Sequence, residues 1–104
     1  MKTIDPNTLE VIYDQDGIIG RKMTVNSNFE IIHMTLQAGS YLKPHKTPFD
    51  SEFFIHKGDA VLLIGDEKIQ AKEGTIMACP GEVDHGLRND SGEVIIILVI
   101  KKFK

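Results

Sequence analysis

Turn-forming residues interrupt this sequence at short intervals, and the segments between them are too short for most helices. Clusters of Gly, Asn, Asp and Ser, which tolerate positive φ or reverse the chain, occur at residues 14–17, 26–28, 57–59, 65–66, 73–74 and 89–92. The intervening runs are rich in Ile, Val, Phe and Leu, which pack well on a pleated sheet. Because no convincing 3.6-residue period accompanies them, the pattern predicts an all-β sandwich or barrel.

Strands are expected where the apolar runs lie, at residues 29–37, 52–56, 60–64, 68–71, 75–79 and 93–100. Gly65-Asp66 predicts a two-residue hairpin with glycine at the first turn position. One short N-terminal helical turn is expected between Asp5 and Ile12, where Asp5-Pro6 would cap and begin it. Residues 101–104 are expected to form a solvated tail.

Length, charge and cysteine content limit the kinds of protein this chain can be. Its 104 residues suffice for one domain, and its net charge of −3 argues against nucleic acid as a partner. A single cysteine, Cys79, cannot form an internal disulfide. Residues 1–10 lack the apolar core of a signal peptide, and the longest apolar run is too short to cross a membrane as a helix. We therefore expect a cytoplasmic protein with no membrane partner.

The segment Val94 to Ile100 is apolar at every position, without the polar alternation of a half-exposed strand. Both faces of such a strand should be covered. One face can pack inside a barrel, and a second subunit would cover the other. The sequence therefore predicts a homodimer that uses this strand or its neighbours.

Two of the four histidines lie beside turn residues and near carboxylates, where an open metal site would be expected. These are His45 and His85; the other two are His33 and His56. Two imidazoles and one carboxylate with open positions would suit non-haem Fe(II), Mn(II), Ni(II) or Zn(II). Spacing alone leaves the alternative open that the histidines line a pocket without metal.

The order of these residues resembles the two motifs of the cupin family. The first motif is matched by Gly39-x5-His45-x-Thr47-x4-Glu52-x5-Gly58, at residues 39–58. The second is matched by Gly74-x5-Pro80-x-Glu82-x2-His85-x3-Asn89, at residues 74–89, where Glu82 replaces a glycine. The resemblance implies a small jelly-roll β-barrel, with residues 1–104 as a single cupin barrel domain. It also implies that His45, Glu52 and His85 occupy metal-ligand positions.

The first motif departs from the family pattern in two ways. Many metal-binding cupins carry a second histidine where this chain has Thr47, and a threonine hydroxyl is a poor replacement ligand. The segment from Glu52 to Gly58 is also one residue shorter than usual, so Glu52 or Ser51 would face inward, since a one-residue slip exchanges the faces of a strand. If Glu52 faces inward, Phe54 and His56 share its face.

Further side chains are candidates for the wall of the pocket. For the histidines among them the plain alternative is a packed or solvent-facing imidazole, and for the apolar ones it is the core. The pocket candidates are His33, Met34, Tyr41, Thr47, Phe54, His56 and Met77.

The resemblance leaves three functions open, and whether the protein is an enzyme stays undecided. The first is a divalent-metal enzyme, of the dioxygenase or isomerase type, acting on a small organic acid or sugar-like metabolite. The alternative is a non-catalytic barrel that binds or senses a small molecule, which the absent histidine at Thr47 favours. A third, plainer possibility is a metal-free barrel that serves mainly as an assembly part.

Overall fold

The computed structural model describes residues 3–103, which form one short 3₁₀ helix, Pro6–Thr8, and ten β-strands. The strands are β1 Val11–Gln15, β2 Ile18–Val25, β3 Phe29–Leu36, β4 Tyr41–His45, β5 Asp50–Lys57, β6 Ala60–Ile64, β7 Glu67–Ala71, β8 Ile76–Cys79, β9 His85–Arg88 and β10 Ile95–Lys102. The all-β prediction and the N-terminal turn are confirmed. Asp5 caps that turn by accepting a hydrogen bond from the backbone N–H of Asn7 at 2.9 Å. Within residues 3–103 no helix has the length and apolar character needed to cross a membrane.

The strands form two antiparallel sheets that pack face to face as a jelly roll. One sheet has six strands in the order β1-β2-β3-β10-β5-β8, and the other has four in the order β4-β9-β6-β7. Their inner faces supply the core, with Ile18, Leu36, Phe53, Ile55, Leu62, Leu87, Ile95 and Ile97 almost fully buried. Cys79 is also buried there and is not in a disulfide.

Tight turns connect the hairpins where the sequence carries turn residues. Gly65, with φ of 58°, begins the two-residue turn between β6 and β7, where Ile64 pairs with Glu67. Asp16 and Gly17 both have positive φ between β1 and β2, as a type I′ turn requires. The hairpin predicted at Gly65-Asp66 is confirmed.

Strand β10 lies in the middle of the six-stranded sheet, between β3 and β5. Its inward residues Ile95, Ile97 and Val99 are buried, while Ile96, Leu98 and Ile100 are half-buried on the outer face. The expected solvated tail is wrong for Lys101 and Lys102, which continue the strand, and for Phe103, whose N–H donates to Asn28 O at 2.8 Å. Lys104 lies outside the described residues.

Strand β5 begins at Asp50, and this register determines which of its side chains face the core. Ser51, Phe53 and Ile55 are buried on the inner face, whereas Glu52 and Phe54 lie on the outer face. His56 follows the outer alternation and is exposed. Of the two alternatives left open by the sequence, the structure has Ser51 inward and Glu52 outward.

Asn89 holds together the end of the barrel at which β9 finishes. Its side chain is 0% exposed, and its amide donates to the carbonyl oxygens of Leu36, Gln37 and Glu93 at 3.0, 3.1 and 2.8 Å. A buried amide with several partners fixes the surrounding loops, because leaving any of them unpaired would carry a desolvation cost. His85, at the opposite end of β9, lies where the barrel is open.

Candidate functional site

A cavity of about 240 Å³ lies between the inner faces of the two sheets, at the open end of the barrel. Most of its lining is apolar, with a few polar side chains. The lining residues are Ile12, Tyr13, Gly20, Ile32, Met34, Leu42, His45, Ser51, Phe53, His85, Leu87, Val99 and Lys101. Cavities with apolar walls and a few polar groups are typical of small-molecule sites.

The two histidines of the cavity are brought together by adjacent strands. His45 ends β4, His85 begins β9, and the two are partners in the strand register. Their ring centroids are 4.6 Å apart with the planes tilted by 51°. His85 also lies against Phe53 on the opposite sheet, at a centroid distance of 5.6 Å. His85 is 6% exposed, whereas His45 is exposed at the rim.

Gly86 allows β4 to come close enough for this pairing. The β4–β9 register shifts between Leu42 and His45, so the β4 backbone bulges at Pro44 toward β9. A Cβ on Gly86 would lie 2.5 Å from the Leu42 carbonyl oxygen and 2.9 Å from the Pro44 nitrogen, both backbone atoms. Glycine is therefore required at this position for His45 to face His85.

Both imidazoles are oriented by backbone carbonyl groups. Nδ1 of His45 is 3.3 Å from the Lys43 oxygen, and Nδ1 of His85 is 3.2 Å from the Val83 oxygen. A carbonyl oxygen only accepts, so each Nδ1 is assigned the hydrogen and donates it. In the neutral rings Nε2 then carries the lone pair, so each histidine is a proton acceptor or ligand atom at Nε2.

The buried ring of His85 favours its neutral form. Burial lowers the pKa of His85 below its ordinary value, and the charges of His45 and Lys101 lower it further. The hydrogen bond to Val83 and the Asp84 carboxylate act in the opposite direction. A neutral His85 at physiological pH keeps its Nε2 available as an acceptor.

Of the pocket candidates from the sequence, Met34 lines the cavity. The Thr47 hydroxyl instead donates to the Phe49 carbonyl oxygen at 3.2 Å. Phe54, His56 and His33 lie on the outer side of the six-stranded sheet, because they alternate with the buried residues of β5 and β3. Tyr41 is 45% exposed, and Met77 packs against the core away from the cavity lining.

Ser51, the alternative to Glu52 on the inner face of β5, lines the cavity together with Lys101 and Tyr13, neither of which the sequence motifs indicate. The composition of residues 101–104 predicts a tail, yet the alternation Ile95, Ile97, Val99 continues to Lys101 without interruption. When the two-residue period of β10 is extended past its apolar run, Lys101 falls on the inner face. For Tyr13 no signal in the sequence links β1 to the site.

The metal site predicted from the resemblance is not assembled. Glu52, the expected third ligand, lies on the outer face, where its Oε1 accepts a hydrogen bond from Lys102 Nζ at 2.7 Å. No group of three His, Cys, Asp or Glu side chains suited to a metal ion occurs within residues 3–103. The cavity offers two imidazoles and, in place of a carboxylate, the ammonium of Lys101. These residues do not fit a three-ligand Fe, Mn, Ni or Zn centre, since a nearby cation repels the metal and no protein anion offsets its charge.

Comparison with protein-family models gives one match, to the model described as the cupin domain, over residues 32–101. This segment contains both sequence motifs, the histidine pair and most of β10. No curated protein matches the sequence closely enough to count as a relative.

Solved structures with the same fold cover nearly the whole chain at low identity. The polyketide cyclase RemF from Streptomyces resistomycificus is 18% identical, with a TM-score of 0.83 over 100% of this chain and 80% of its own. An RmlC-like cupin family protein with a double-stranded β-helix fold from Methanocaldococcus jannaschii is 23% identical, with a TM-score of 0.77 over 91% and 88%. A predicted oxalate decarboxylase from Thermotoga maritima is 16% identical, with a TM-score of 0.83 over 97% and 98%. At identities this low, the structural similarity shows a common fold and nothing about function.

Proposed function

The chain belongs to the cupin domain family, and we propose that its cavity binds a small organic molecule directly through the protein's own side chains. The observation that carries this proposal is the composition of the cavity, in which apolar walls surround a pair of oriented imidazoles. Its volume of about 240 Å³ lies below the usual range for drug-sized ligands, which favours a compact metabolite.

Two kinds of contact would hold such a molecule. Met34, Leu42, Phe53 and Val99 remove a carbon skeleton from water, at roughly 25 cal/mol per Å² of apolar surface buried. Nε2 of His85 accepts a hydrogen bond, so it selects a ligand with a hydroxyl or enol group. A molecule of this class agrees with the small organic acid or sugar-like metabolite expected from the sequence. The predicted oxalate decarboxylase from Thermotoga maritima has the same fold, and its name specifies a small organic acid, which supports this class of ligand.

The test is a thermal-shift screen of a panel of small metabolites against the wild-type protein, His45→Ala and His85→Ala. His56→Ala is the matched control, because His56 is an exposed histidine on the outer face. We expect hits that raise the melting temperature of the wild type and of the control, and that lose most of their effect in the two cavity variants. Hits unaffected by both cavity substitutions, or no hits at all, would overturn the proposal.

The state of His85 favours a second candidate, a proton-transfer enzyme that uses the same cavity. Burial lowers the pKa of His85, and Val83 holds its Nδ1–H, so a neutral Nε2 can take a proton from a C–H beside a carbonyl group. The electron pair of that bond moves into an enolate. Return of the proton from the imidazolium to the same carbon is exchange without net reaction, whereas its return to another carbon of a conjugated enolate is isomerisation. No metal takes part in this step.

Deuterium exchange distinguishes turnover from binding alone. A hit from the screen is incubated in D₂O, and loss of its C–H signal is followed by proton NMR. If the protein is a proton-transfer enzyme, exchange occurs with the wild type and with His56→Gln, and it stops with His85→Gln. Binding without exchange would leave the first proposal standing and remove the second.

A further inference from the structure

Lys101 is the one Lys or Arg side chain among the residues that line the cavity. It occupies the inner face of β10, two positions beyond Val99, and it pairs across the sheet with Glu30 on β3 and Ser51 on β5. Its ammonium is close enough for its charge to act on the imidazole of His85. The polar side of the cavity therefore combines the ammonium of Lys101 with the imidazoles of His45 and His85.

The charges around Lys101 leave that positive charge without a dedicated partner. The acidic residue opposite Lys101 in the register, Glu30, pairs instead with Lys22, whose Nζ lies 3.8 Å from the Glu30 Oε1. None of the ion pairs formed within residues 3–103 includes Lys101. Asp84 also acts on His85, but it is exposed and lies outside the cavity lining. Glu30 is thus paired with Lys22, and no carboxylate among the described residues forms an ion pair with Lys101.

Ser51 adds a hydrogen-bond donor beside Lys101. It is 3% exposed, it lines the cavity, and it is the register partner of Lys101. Its hydroxyl takes part in none of the side-chain hydrogen bonds between described residues, which leaves it available to a ligand. An ammonium and a hydroxyl on adjacent strands form a suitable pair for one oxyanion.

We propose that Lys101, with Ser51, is the anion anchor of this cavity and that the ligand is a compact organic monoanion, a carboxylate on an apolar body. This inference rests on the proposed function, because it specifies the charge of the molecule bound in the same cavity. Lys101 as a residue is half-buried, and the cavity it lines has mostly apolar walls. An anion bound in the cavity would pair with its ammonium at a lower dielectric than in water, which strengthens their attraction. A single carboxylate would neutralise it, while the imidazoles accept from a hydroxyl on the other end of the ligand.

The test measures binding of butyrate, hexanoate and benzoate, each against its neutral amide, by isothermal titration calorimetry. Lys101→Met removes the charge and keeps the length of the side chain, and Lys101→Arg restores the charge. Lys102→Met is the matched control, because Lys102 is the next residue on the same strand and pairs with Glu52 on the outer face. Melting temperatures establish that each variant is folded.

We expect at least one carboxylate to bind the wild type about tenfold or more tightly than its amide. This preference should disappear in Lys101→Met, persist in Lys102→Met and return in part in Lys101→Arg. Equal binding of acid and amide, or a preference that survives Lys101→Met, would overturn the inference and leave the proposed function intact. If no acid binds while the metabolite screen yields neutral hits, only the anion anchor is overturned. If that screen also fails, both proposals are overturned.

Discussion

The Glu52 carboxylate accepts a hydrogen bond from the Lys102 ammonium at 2.7 Å, on the side of the six-stranded sheet that faces away from the cavity. The two residues belong to neighbouring strands, β5 and β10, and both follow the outward alternation of those strands. An exposed ion pair of this kind contributes little to stability, about 0–1 kcal/mol. Its importance is that it marks the outer position of Glu52, because the register of β5 directs this carboxylate away from the histidine cavity.

We therefore expect Glu52→Gln to leave the metal content of the purified protein unchanged. Metal is measured by inductively coupled plasma mass spectrometry on protein purified without a metal-affinity column, alongside His45→Gln and His85→Gln. Glu82→Gln, in an exposed loop, is the control. Near one equivalent of Fe, Mn, Ni or Zn in the wild type, lost in Glu52→Gln as well as in both histidine variants, would contradict the geometry described for this site.

Stability should decrease as the pH falls from about 7 to about 5. Burial lowers the pKa of both His85 and His33. The unfolded chain, with ordinary histidines near pKa 6.5, then takes up protons before the folded chain does. The stabilisation that comes from keeping these two histidines neutral is therefore complete above the unfolded-state pKa. It is lost as the pH falls through the folded-state pKa. Urea denaturation over this range measures it, and the double variant His33→Gln/His85→Gln should flatten the profile. If the free energy of unfolding of that variant depends on pH as steeply as that of the wild type, the pH dependence comes from other groups.

Gly86→Ala should destabilise the protein by about 1–3 kcal/mol, because its Cβ would overlap backbone atoms of β4 that cannot move as a side chain would. It should also weaken ligand binding, since β4 carries His45. Gly92→Ala is the control, as its Cβ would meet nothing within 4 Å. Chemical denaturation and the thermal-shift hits measure the two effects. Equal stability of the two variants would show that β4 adapts without loss.

Glu82→Gly should stabilise the protein by about 0.5–1 kcal/mol. Glu82 has φ of 64°, a left-handed conformation that costs a non-glycine residue about 1–2 kcal/mol. Glycine removes this strain, and the greater freedom of its unfolded chain cancels about 0.5–1 kcal/mol of the gain. Glu93→Gly, at an exposed position without positive φ, should instead destabilise. The denaturation midpoints of the two variants are measured against that of the wild type. A loss of stability in Glu82→Gly would refute the strain argument.

The homodimer stays a prediction, and we expect its interface on the outer face of β10. Ile96, Leu98 and Ile100 are half-buried there in a strand that is central to its sheet. Light scattering should give twice the chain mass of 11.6 kDa. Leu98→Lys should shift the protein to monomer, because it places a charge within the apolar contact. Val25→Lys, at a site already 51% exposed, should have no effect. A monomeric wild type would rule the dimer out.

Six of the ten strands within residues 3–103, the hairpin at Gly65-Asp66 and the approach of His45 to His85 could be anticipated from the sequence, because turn residues, apolar runs and family motifs are local signals. The other four strands, β1, β2, β4 and β9, were not among the apolar runs. The facing of Glu52 could not be anticipated. It depends on where β5 begins, and the shortened segment from Glu52 to Gly58 within the first motif allows registers that differ by one residue. Pairing with β10, which fixes Glu52 opposite Ile100, is a long-range contact that no short pattern reports.

Lys101 was missed for a related reason. Four terminal residues that include three lysines have the composition of a solvated tail, and composition outweighed the alternation that continues from Val99. The structure shows that a charge can occupy an inward position where a barrel is open, because the ammonium there reaches a cavity rather than a packed core. For a polar residue at the end of an apolar strand, the inward–outward alternation of the strand should therefore be extended to that residue before it is assigned to a tail.

The position of β10 between β3 and β5 also affects how the protein can be made. Within residues 3–103 the nine other strands precede it in the chain, yet β3 and β5 can complete their pairing only when it has been synthesised. While the chain is growing on the ribosome, β3 and β5 each present an open edge, which is a template for pairing with other chains. Assembly of the larger sheet must therefore wait for the last strand, and a chain truncated before Ile95 would lose the link between its two halves and be prone to aggregate.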